Sequence, residues 1–158
     1  MNERSGFSTH HRKPNISMDT EYALLMFFTG TLLGIMLFFA AAVAPTVFRS
    51  LPAEHAGSYL RSIFPVYYTW GIILALVISF IAYDTNIIVF VISSIITVLF
   101  IYSRQGLLPS INLAREARLA GDPDGEAAFK RLHRLSVLIN LGNMLLLIIS
   151  AVLILKNL

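Results

Sequence analysis

Cysteine is absent from this chain of 158 residues, and charged residues make up only 13% of it. Without cysteine there is no disulfide, no thiolate metal site and no cysteine nucleophile, while the cellular compartment stays open. A soluble domain carries about a quarter charged residues. The apolar content of 56% and the mean hydropathy of +0.73 indicate instead a chain that lies mostly in lipid.

The few charges are also unevenly distributed. Four apolar runs contain no Asp, Glu, Lys, Arg or His, and they cover residues 22–44, 66–83, 87–103 and 135–155. A charge at the centre of a spanning helix costs about 2.5–3.5 kcal/mol, and about 17–25 apolar residues are needed to cross a bilayer. Only a helix satisfies its own backbone in lipid without closing a barrel. The predicted fold class is therefore all-α, an integral membrane four-helix bundle.

Polar segments outside the runs predict the remaining organisation. Residues 1–21 are expected to form a flexible polar tail, and 22–158 the four-span domain. Because the tail lacks the apolar core of a signal peptide, the first span should remain in the mature protein. Pro45 should stop or kink the first helix near its end. Residues 49–63 predict a short interfacial helix after span one, with Pro65 opening the second span.

The other two connections predict a tight turn and a helical extension. Asp84-Thr85-Asn86 should join spans two and three as an antiparallel hairpin. The third helix is expected to continue past Ser103 through a weak point at Gly106 and Pro109, and to stop at Gly121. Asp122 and Pro123 then suit the N-cap and first turn of the last helix. A helical extension should thus project from the membrane between spans three and four.

The orientation follows from the distribution of Lys and Arg, which favours the cytoplasmic side. The first and third loops hold Arg49, Arg61, Arg104, Arg115, Arg118, Lys130, Arg131 and Arg134. The other side holds only Arg4, Arg12, Lys13 and Lys156. This excess places loops 45–65 and 104–134 in the cytoplasm and both termini outside. The expected location is a bacterial inner (cytoplasmic) membrane.

The fourth span carries a polar stripe. His133, Ser136, Asn140 and Asn143 stand at offsets 0, 3, 7 and 10, within an arc of about 80° on a helix. Ser150 lies close to the same face. Such groups should point into the bundle, since each unsatisfied one costs several kcal/mol in lipid. The stripe either joins helices by hydrogen bonds or lines a ligand site. The first interpretation is favoured, because proton and ion paths usually need ionisable groups at depth and the spans contain none.

Two further patterns suggest helix packing and membrane anchoring. Gly30 and Gly34 form a small-xxx-small motif in the first span, which lets helix backbones approach closely. Packing within the chain is the favoured interpretation, and association with another membrane subunit is its rival. Aromatic residues near the span ends are typical of an interfacial belt, and they are Tyr67, Tyr68, Trp70, Tyr83 and Tyr102.

Candidates for chemistry are few. His55 and His133 lie in or beside the two longer loops, and a pair of histidines can hold a haem or a metal. No third ligand stands near either, so both are weak candidates for a cofactor site. No arrangement of nucleophile, base and acid is visible, and no phosphate-binding glycine loop. No basic face interleaved with aromatic residues suggests nucleic-acid binding.

Four short motifs, in order along the chain, suggest a family. They are Ala44-Pro45-Thr46-Val47-Phe48, Phe64-Pro65-Val66-Tyr67, Pro109-Ser110-Ile111-Asn112, and Phe129-x-x-Leu132-His133-x-x-Ser136-x-x-x-Asn140. In this register the chain resembles the domain-of-unknown-function 4149 family, the proteins similar to transmembrane protein 205, from about residue 22 to the C-terminus. The resemblance implies a four-span membrane protein and little about activity.

That family in turn looks distantly like the four-helix copper-resistance and protoporphyrinogen-oxidase membrane proteins, some of which are associated with haem or metal. This chain departs from them because none of its spans contains a histidine. The favoured function is a non-enzymatic accessory or structural subunit of a larger membrane complex, whose partners are lipid and a membrane protein or a second copy. The alternatives are small-molecule or metal transport or binding at the fourth-span stripe, and a haem- or metal-binding redox protein.

Overall fold

The computed structural model describes residues 16–157, and it describes their side chains except at residues 16, 17, 53 and 54. Its helices are α1 (Ile16–Phe38), α2 (Ala44–Ser50), α3 (Ala53–Thr85), α4 (Ile87–Tyr102), α5 (Leu108–Leu119) and α6 (Pro123–Leu155). A first π turn (Phe39–Val43) joins α1 to α2, and a second π turn (Ser103–Leu107) joins α4 to α5. Residues 16–157 contain no strand.

Four helical stretches are long and apolar enough to cross a membrane, and they cover Met18–Ser50, His55–Thr85, Ile87–Leu119 and Pro123–Leu155. They pack as a bundle in which α3 contacts α4, α1 contacts α3 and α6, and α4 contacts α6. Leu32, Ile96 and Leu147 are almost fully buried in its core. This arrangement confirms the predicted all-α four-helix membrane bundle.

Polarity in this bundle is reversed relative to a soluble protein. Phe80 is 85% exposed and Phe38 66% exposed on its outer surface, whereas Asn143 and Ser93 are each only 1% exposed. Large apolar side chains that cover the outside are stable only in an apolar solvent. The distribution of side chains therefore agrees with an integral membrane protein.

The two tight connections form as the sequence predicts. The Oδ1 atom of Asn86 caps α4 by accepting hydrogen bonds from the amides of Ile88 at 3.2 Å and Val89 at 3.1 Å. Gly121 has φ of 84°, a left-handed conformation that favours glycine after a helix end. Asp122 then caps α6 by accepting from the Asp124 amide at 3.0 Å. The hairpin and the helical extension are confirmed.

The separate interfacial helix predicted for residues 49–63 is not confirmed, because α3 runs without a break from Ala53 through Pro65 to Thr85. Pro65 lacks an amide and cannot donate to the carbonyl four residues earlier. The helix nevertheless continues, since Ala56 and Leu60 on the preceding turns are buried against the bundle. Packing here outweighs the loss of one backbone hydrogen bond.

Prolines also explain the two π turns. Pro45 and Pro109 each stand two residues after the last residue of a π turn. The amide of Ala44 donates to Phe39 O, and that of Leu108 to Ser103 O, five residues back in both cases. A wider turn gives the proline ring room beside the preceding carbonyls, where an α-helical turn would clash. The first and third spans therefore continue past prolines instead of ending at them.

Candidate functional site

Two adjacent tyrosines of α3 reach across the bundle to the polar stripe of α6. The hydroxyl of Tyr67 donates to Asn140 Oδ1 at 2.8 Å, and that of Tyr68 shares a hydrogen bond of 3.3 Å with Ser136 Oγ. Ser136 and Asn140 are four residues apart and so lie on successive turns of one helix face. We call these four residues the tyrosine–asparagine cluster.

Aromatic rings wall this cluster. Phe39, from the first π turn, stacks on Tyr67 with ring centroids 4.7 Å apart, and Phe64 stacks on Tyr68 at 5.7 Å. Phe100 of α4 lies 6.2 Å from Tyr67 and 6.3 Å from Tyr68. The rings exclude water, and in such a low-dielectric setting a hydrogen bond is stronger than in water. The cluster and its rings thus tie the first π turn, α3, α4 and α6 together around two buried hydroxyl groups.

Gly71 makes room for this aromatic wall. A Cβ added at residue 71 would lie 2.7 Å from the ring of Phe100, closer than two carbon atoms can approach without one moving. Phe100 is 1% exposed and has little space to retreat. A residue without a side chain is therefore needed here for α3 and α4 to pack around the ring.

Deeper along α6, polar atoms are buried without partners. Asn143 is 1% exposed, and among residues 16–157 its Oδ1 meets no hydrogen-bond donor. Ser150 Oγ and Thr29 Oγ1 are in the same condition. An unsatisfied carbonyl in a low-dielectric interior costs about 1–3 kcal/mol. Asn140 and Asn143 share a helix face, but only Asn140 is satisfied.

At the outer end of the stripe, His133 is exposed. Its ring stacks on Phe129 of the same helix, with centroids 5.8 Å apart and planes 7° from parallel. The guanidinium carbon of Arg118 lies 4.3 Å from the same Phe129 ring, a cation–π arrangement. The stripe therefore divides into an exposed imidazole, a hydrogen-bonded middle and an unpartnered buried end.

The other histidine candidate, His55, is exposed near the start of α3. In the part of the chain that the structure describes, no three residues of the His, Cys, Asp and Glu types come together as a metal-binding group.

The tyrosine–asparagine cluster offers hydroxyl and amide groups, which can orient a ligand or join helices. Proton and ion paths usually use ionisable groups at depth, and the four apolar runs contain none.

A second interhelical contact stands where the third span ends. Arg104, half-buried in the second π turn, donates from Nε to Thr69 Oγ1 at 3.0 Å. The Thr69 hydroxyl in turn donates to the Pro65 carbonyl at 2.7 Å. The Thr69 hydroxyl therefore links Arg104 of the second π turn to the backbone of α3 at Pro65. The sequence predicted a weak point in this region and missed this contact.

The sequence also missed the role of two tyrosines. Trp70, Tyr83 and Tyr102 are exposed, as a belt requires, but Tyr67 is 8% and Tyr68 6% exposed. The sequence contains one relevant signal, which is that the second span has two adjacent tyrosines and the fourth has Ser136 and Asn140 at a spacing of four. Pairing them required knowing which helices face each other across the interior of the bundle.

Gly30 and Gly34 lie on the outer surface of α1. Both are exposed, and a Cβ added at either would meet no heavy atom within 4 Å. The intramolecular packing that the sequence favoured for them is not what the structure shows, because no other helix of the described chain approaches this face. In contrast, Gly57, Gly71 and Gly125 are buried in close contacts.

Comparison with known proteins identifies a family. The model of the family described as "Domain of unknown function (DUF4149)" matches residues 27–158, and the chain belongs to this family. An uncharacterized protein of Aquifex aeolicus is 42% identical over 64 residues, which are 40% of this chain and 46% of that protein. The match thus spans less than half of the relative's length. No solved structure matches the chain.

Proposed function

We propose that this member of a family of unknown function is a non-enzymatic accessory subunit, which packs against another membrane-embedded helix through the outer face of α1. The observation that carries the proposal is the open position of Gly30 and Gly34. They are one helical turn apart, and their spacing is the one at which two helix backbones approach most closely in lipid.

A lipid-facing surface alone gives no reason for these glycines. Glycine inside a helix costs about 1 kcal/mol relative to alanine, and lipid chains do not require the close approach that it permits. The three buried glycines of this chain, Gly57, Gly71 and Gly125, each make room for a neighbouring group. Gly142 also meets nothing within 4 Å but stands alone, whereas Gly30 and Gly34 form a pair at a spacing of four. We therefore infer that this pair makes room for a group that comes from outside the described chain.

The test replaces both glycines by leucine. Because a side chain at either position meets nothing within the described chain, Gly30→Leu/Gly34→Leu should fold and be at least as stable to heat as the unchanged chain. The unchanged protein, extracted in mild detergent and weighed by native mass spectrometry, should carry a stoichiometric membrane partner or a second copy. The double variant should lose it and run as the 17.6 kDa chain.

Gly142→Leu is the matched control, since a Cβ at residue 142 of α6 also meets nothing within 4 Å. It should keep the partner. The absence of cysteine allows a second readout, in which a single cysteine at residue 34 is cross-linked in native membranes. A cysteine replacing Phe80, 85% exposed on α3, sets the background. Cross-linking at 34 no stronger than at 80, with a monomeric extract, would contradict the proposal.

A second candidate function rests on Asn143. Its buried, unpartnered Oδ1 supports binding or transport of a small molecule or metal at the polar face of α6. Under this alternative, protein purified from its own membranes carries a bound species in native mass spectrometry, and Asn143→Leu releases it. Under the accessory role alone, the same variant removes an unsatisfied group and raises the free energy of unfolding by about 1–3 kcal/mol.

For the orientation, we propose a bacterial inner membrane with loops 45–65 and 104–134 in the cytoplasm and both termini outside. The excess of Lys and Arg in these two loops supports it. Single cysteines replacing exposed Leu119 and exposed Asn157 can be labelled on intact cells with a maleimide that does not cross membranes. Labelling is expected at residue 157 and protection at residue 119, and the reverse pattern would overturn this orientation.

A further inference from the structure

Two arginines of α6 differ from the other basic residues at the same end of the bundle. Six of the eight Lys and Arg residues in the two longer loops interact with another group of the chain, and they are Arg49, Arg61, Arg104, Arg115, Arg118 and Lys130. Arg131 and Arg134 are exposed, and neither guanidinium has a hydrogen-bond or ion-pair partner among the described residues. These two groups are therefore available to a partner from outside the chain.

The same helix offers these arginines no carboxylate. After Glu126 the sequence contains no Asp or Glu through residue 158. Glu126 is itself engaged, because it pairs with Lys130 at 2.9 Å and with Arg118 at 3.7 Å. The positive charge of Arg131 and Arg134 is therefore not neutralised by α6.

Both arginines continue the outer, lipid-facing side of α6. Leu138, Leu141 and Leu145 are exposed apolar residues of its spanning part. At 3.6 residues per turn, the two arginines and these three leucines share an arc of about 80° on the helix surface. An acyl chain that lies along the leucines therefore leads to the arginines on the same face.

The height of the two arginines matches the headgroup layer of a bilayer. At about 1.5 Å per residue, the charge-free run 135–155 is about 30 Å long, which is the thickness of the hydrocarbon core. Arg134 comes directly before this run, and Arg131 lies about 4.5 Å further out. Headgroups extend a bilayer to about 40–45 Å, so both arginines lie among them.

We propose that Arg131 and Arg134 together bind the phosphate of an anionic glycerophospholipid, whose acyl chains lie along the exposed leucines of α6. Residues three apart are neighbours on a helix surface, so both long side chains can reach one phosphate. Guanidinium groups match the oxygen geometry of phosphate and bind it through paired hydrogen bonds. A zwitterionic headgroup also carries a phosphate, but its cation would lie beside two arginines, and α6 has no carboxylate beyond Glu126 to bind it. The site therefore selects lipids with a net negative charge.

The single tryptophan of the chain, Trp70, allows the lipid beside one helix to be identified. Trp70 is exposed on α3 and reports on the lipid there. In a second protein, Trp70→Phe and Leu141→Trp move the tryptophan to the leucines next to the arginines. Each full-length protein is placed in phosphatidylcholine vesicles with a minor share of phosphatidylglycerol, and one of the two lipids carries bromine on its acyl chains. Bromine quenches the fluorescence of a tryptophan that it contacts, so quenching measures the local share of each lipid.

At residue 141, phosphatidylglycerol should be preferred about tenfold or more, because each basic side chain near anionic lipid contributes about fivefold. At Trp70 the preference should be much weaker, since Arg104 on that side is bound to Thr69. In the Leu141→Trp protein, Arg131→Gln and Arg134→Gln should each lower the preference about fivefold, and the double variant should abolish it. Arg49→Gln is the matched control, because Arg49 is also exposed but donates to the Pro45 carbonyl of its own helix. It should leave the preference unchanged.

Equal preferences at residues 70 and 141, or equal losses in Arg134→Gln and Arg49→Gln, would show diffuse attraction and overturn the site. An unchanged preference in the double variant would also overturn it, and thermal unfolding identical to that of the unchanged chain would show that the variant is folded. Loss of the preference in excess inorganic phosphate at constant ionic strength would overturn the assignment to a lipid. A stoichiometric protein that co-purifies with the unchanged chain but not with the double variant would assign the arginines to a protein partner instead. Failure of the glycine face of α1 to hold a partner leaves this result untouched, because both arginines belong to α6.

Discussion

The hydrogen bond between Tyr67 and Asn140 should be measurable as a coupling free energy between α3 and α6. Tyr67→Phe removes one hydroxyl while keeping the ring that stacks on Phe39 at 4.7 Å. Asn140→Leu removes the acceptor at similar volume. The two single variants and the double variant form a thermodynamic cycle, and the coupling is the part of their effects that does not add.

The geometry sets the expected size of this coupling. Hydrogen bonds between membrane helices average about 0.6 kcal/mol in such cycles and reach about 1.7 kcal/mol. The Tyr67 bond is short, at 2.8 Å, and Tyr67 is only 8% exposed, so a coupling near the upper limit is expected. Tyr67→Phe alone should cost about 1–3 kcal/mol, because it leaves the Asn140 carbonyl without a donor.

The neighbouring pair provides a control within the same cluster. Tyr68 and Ser136 are 3.3 Å apart, near the limit for a hydrogen bond between hydroxyl groups. The cycle of Tyr68→Phe and Ser136→Ala should therefore give about 0.5 kcal/mol or less. Reversible unfolding in bicelles provides the free energies. A Tyr67–Asn140 coupling indistinguishable from zero, or smaller than that of the control pair, would refute the assignment of this cluster as interhelical glue.

Substitutions at three further positions, Gly71, Asn86 and Gly125, test the helix packing and the α4 cap. Gly71→Ala should destabilise the protein by about 1–3 kcal/mol, because the new methyl group meets the Phe100 ring at 2.7 Å, whereas Gly142→Ala should be neutral or stabilising in the same thermal unfolding assay. Asn86→Ala should cost about 0.5–2 kcal/mol through loss of the α4 cap, and the threonine variant should restore most of it. Gly125→Ala should loosen the α5–α6 hairpin, since the methyl group would lie 2.7 Å from the Arg118 amide nitrogen, and amide hydrogen exchange across residues 108–134 should rise.

Local signals were enough to predict the spans and their tight turns. The spans follow from runs without charge, the hairpin follows from the turn residues Asp84-Thr85-Asn86, and the cap at Asp122 follows from a side chain that reaches an amide two residues away. Such features depend on neighbours in the sequence. In contrast, Tyr67 and Asn140 are 73 positions apart, and only the three-dimensional arrangement, in which these side chains of α3 and α6 meet inside the bundle, distinguishes a buried tyrosine from one in an interfacial belt.

The prolines show why boundaries were harder to predict. In water, Pro45 and Pro65 are good signals for the end of a helix. In this bundle the helix continues through Pro65 and, by way of a π turn, past Pro45. A free backbone group in lipid costs several kcal/mol, so ending a helix there is worse than losing one hydrogen bond. A proline that predicts the end of a helix in water therefore does not predict it in lipid, although the apolar runs already indicate that these helices lie in lipid.

The buried polar atoms of the bundle can be separated by what could satisfy them. Thr29 and Ser150 carry hydroxyl groups, and a change of rotamer lets such a group donate to the carbonyl one turn earlier. Thr31 and Ser94 do so here, at 2.7 and 2.8 Å. The Asn143 carbonyl oxygen has no hydrogen to donate and must receive a donor from elsewhere. Among the residues that the structure describes, Asn143 is therefore the position at which the two interpretations of the stripe, hydrogen bonding between helices and ligand binding, predict opposite effects of a substitution. If the stripe only joins helices, Asn143→Leu should stabilise the protein. If the stripe binds a ligand, the same substitution should abolish ligand binding.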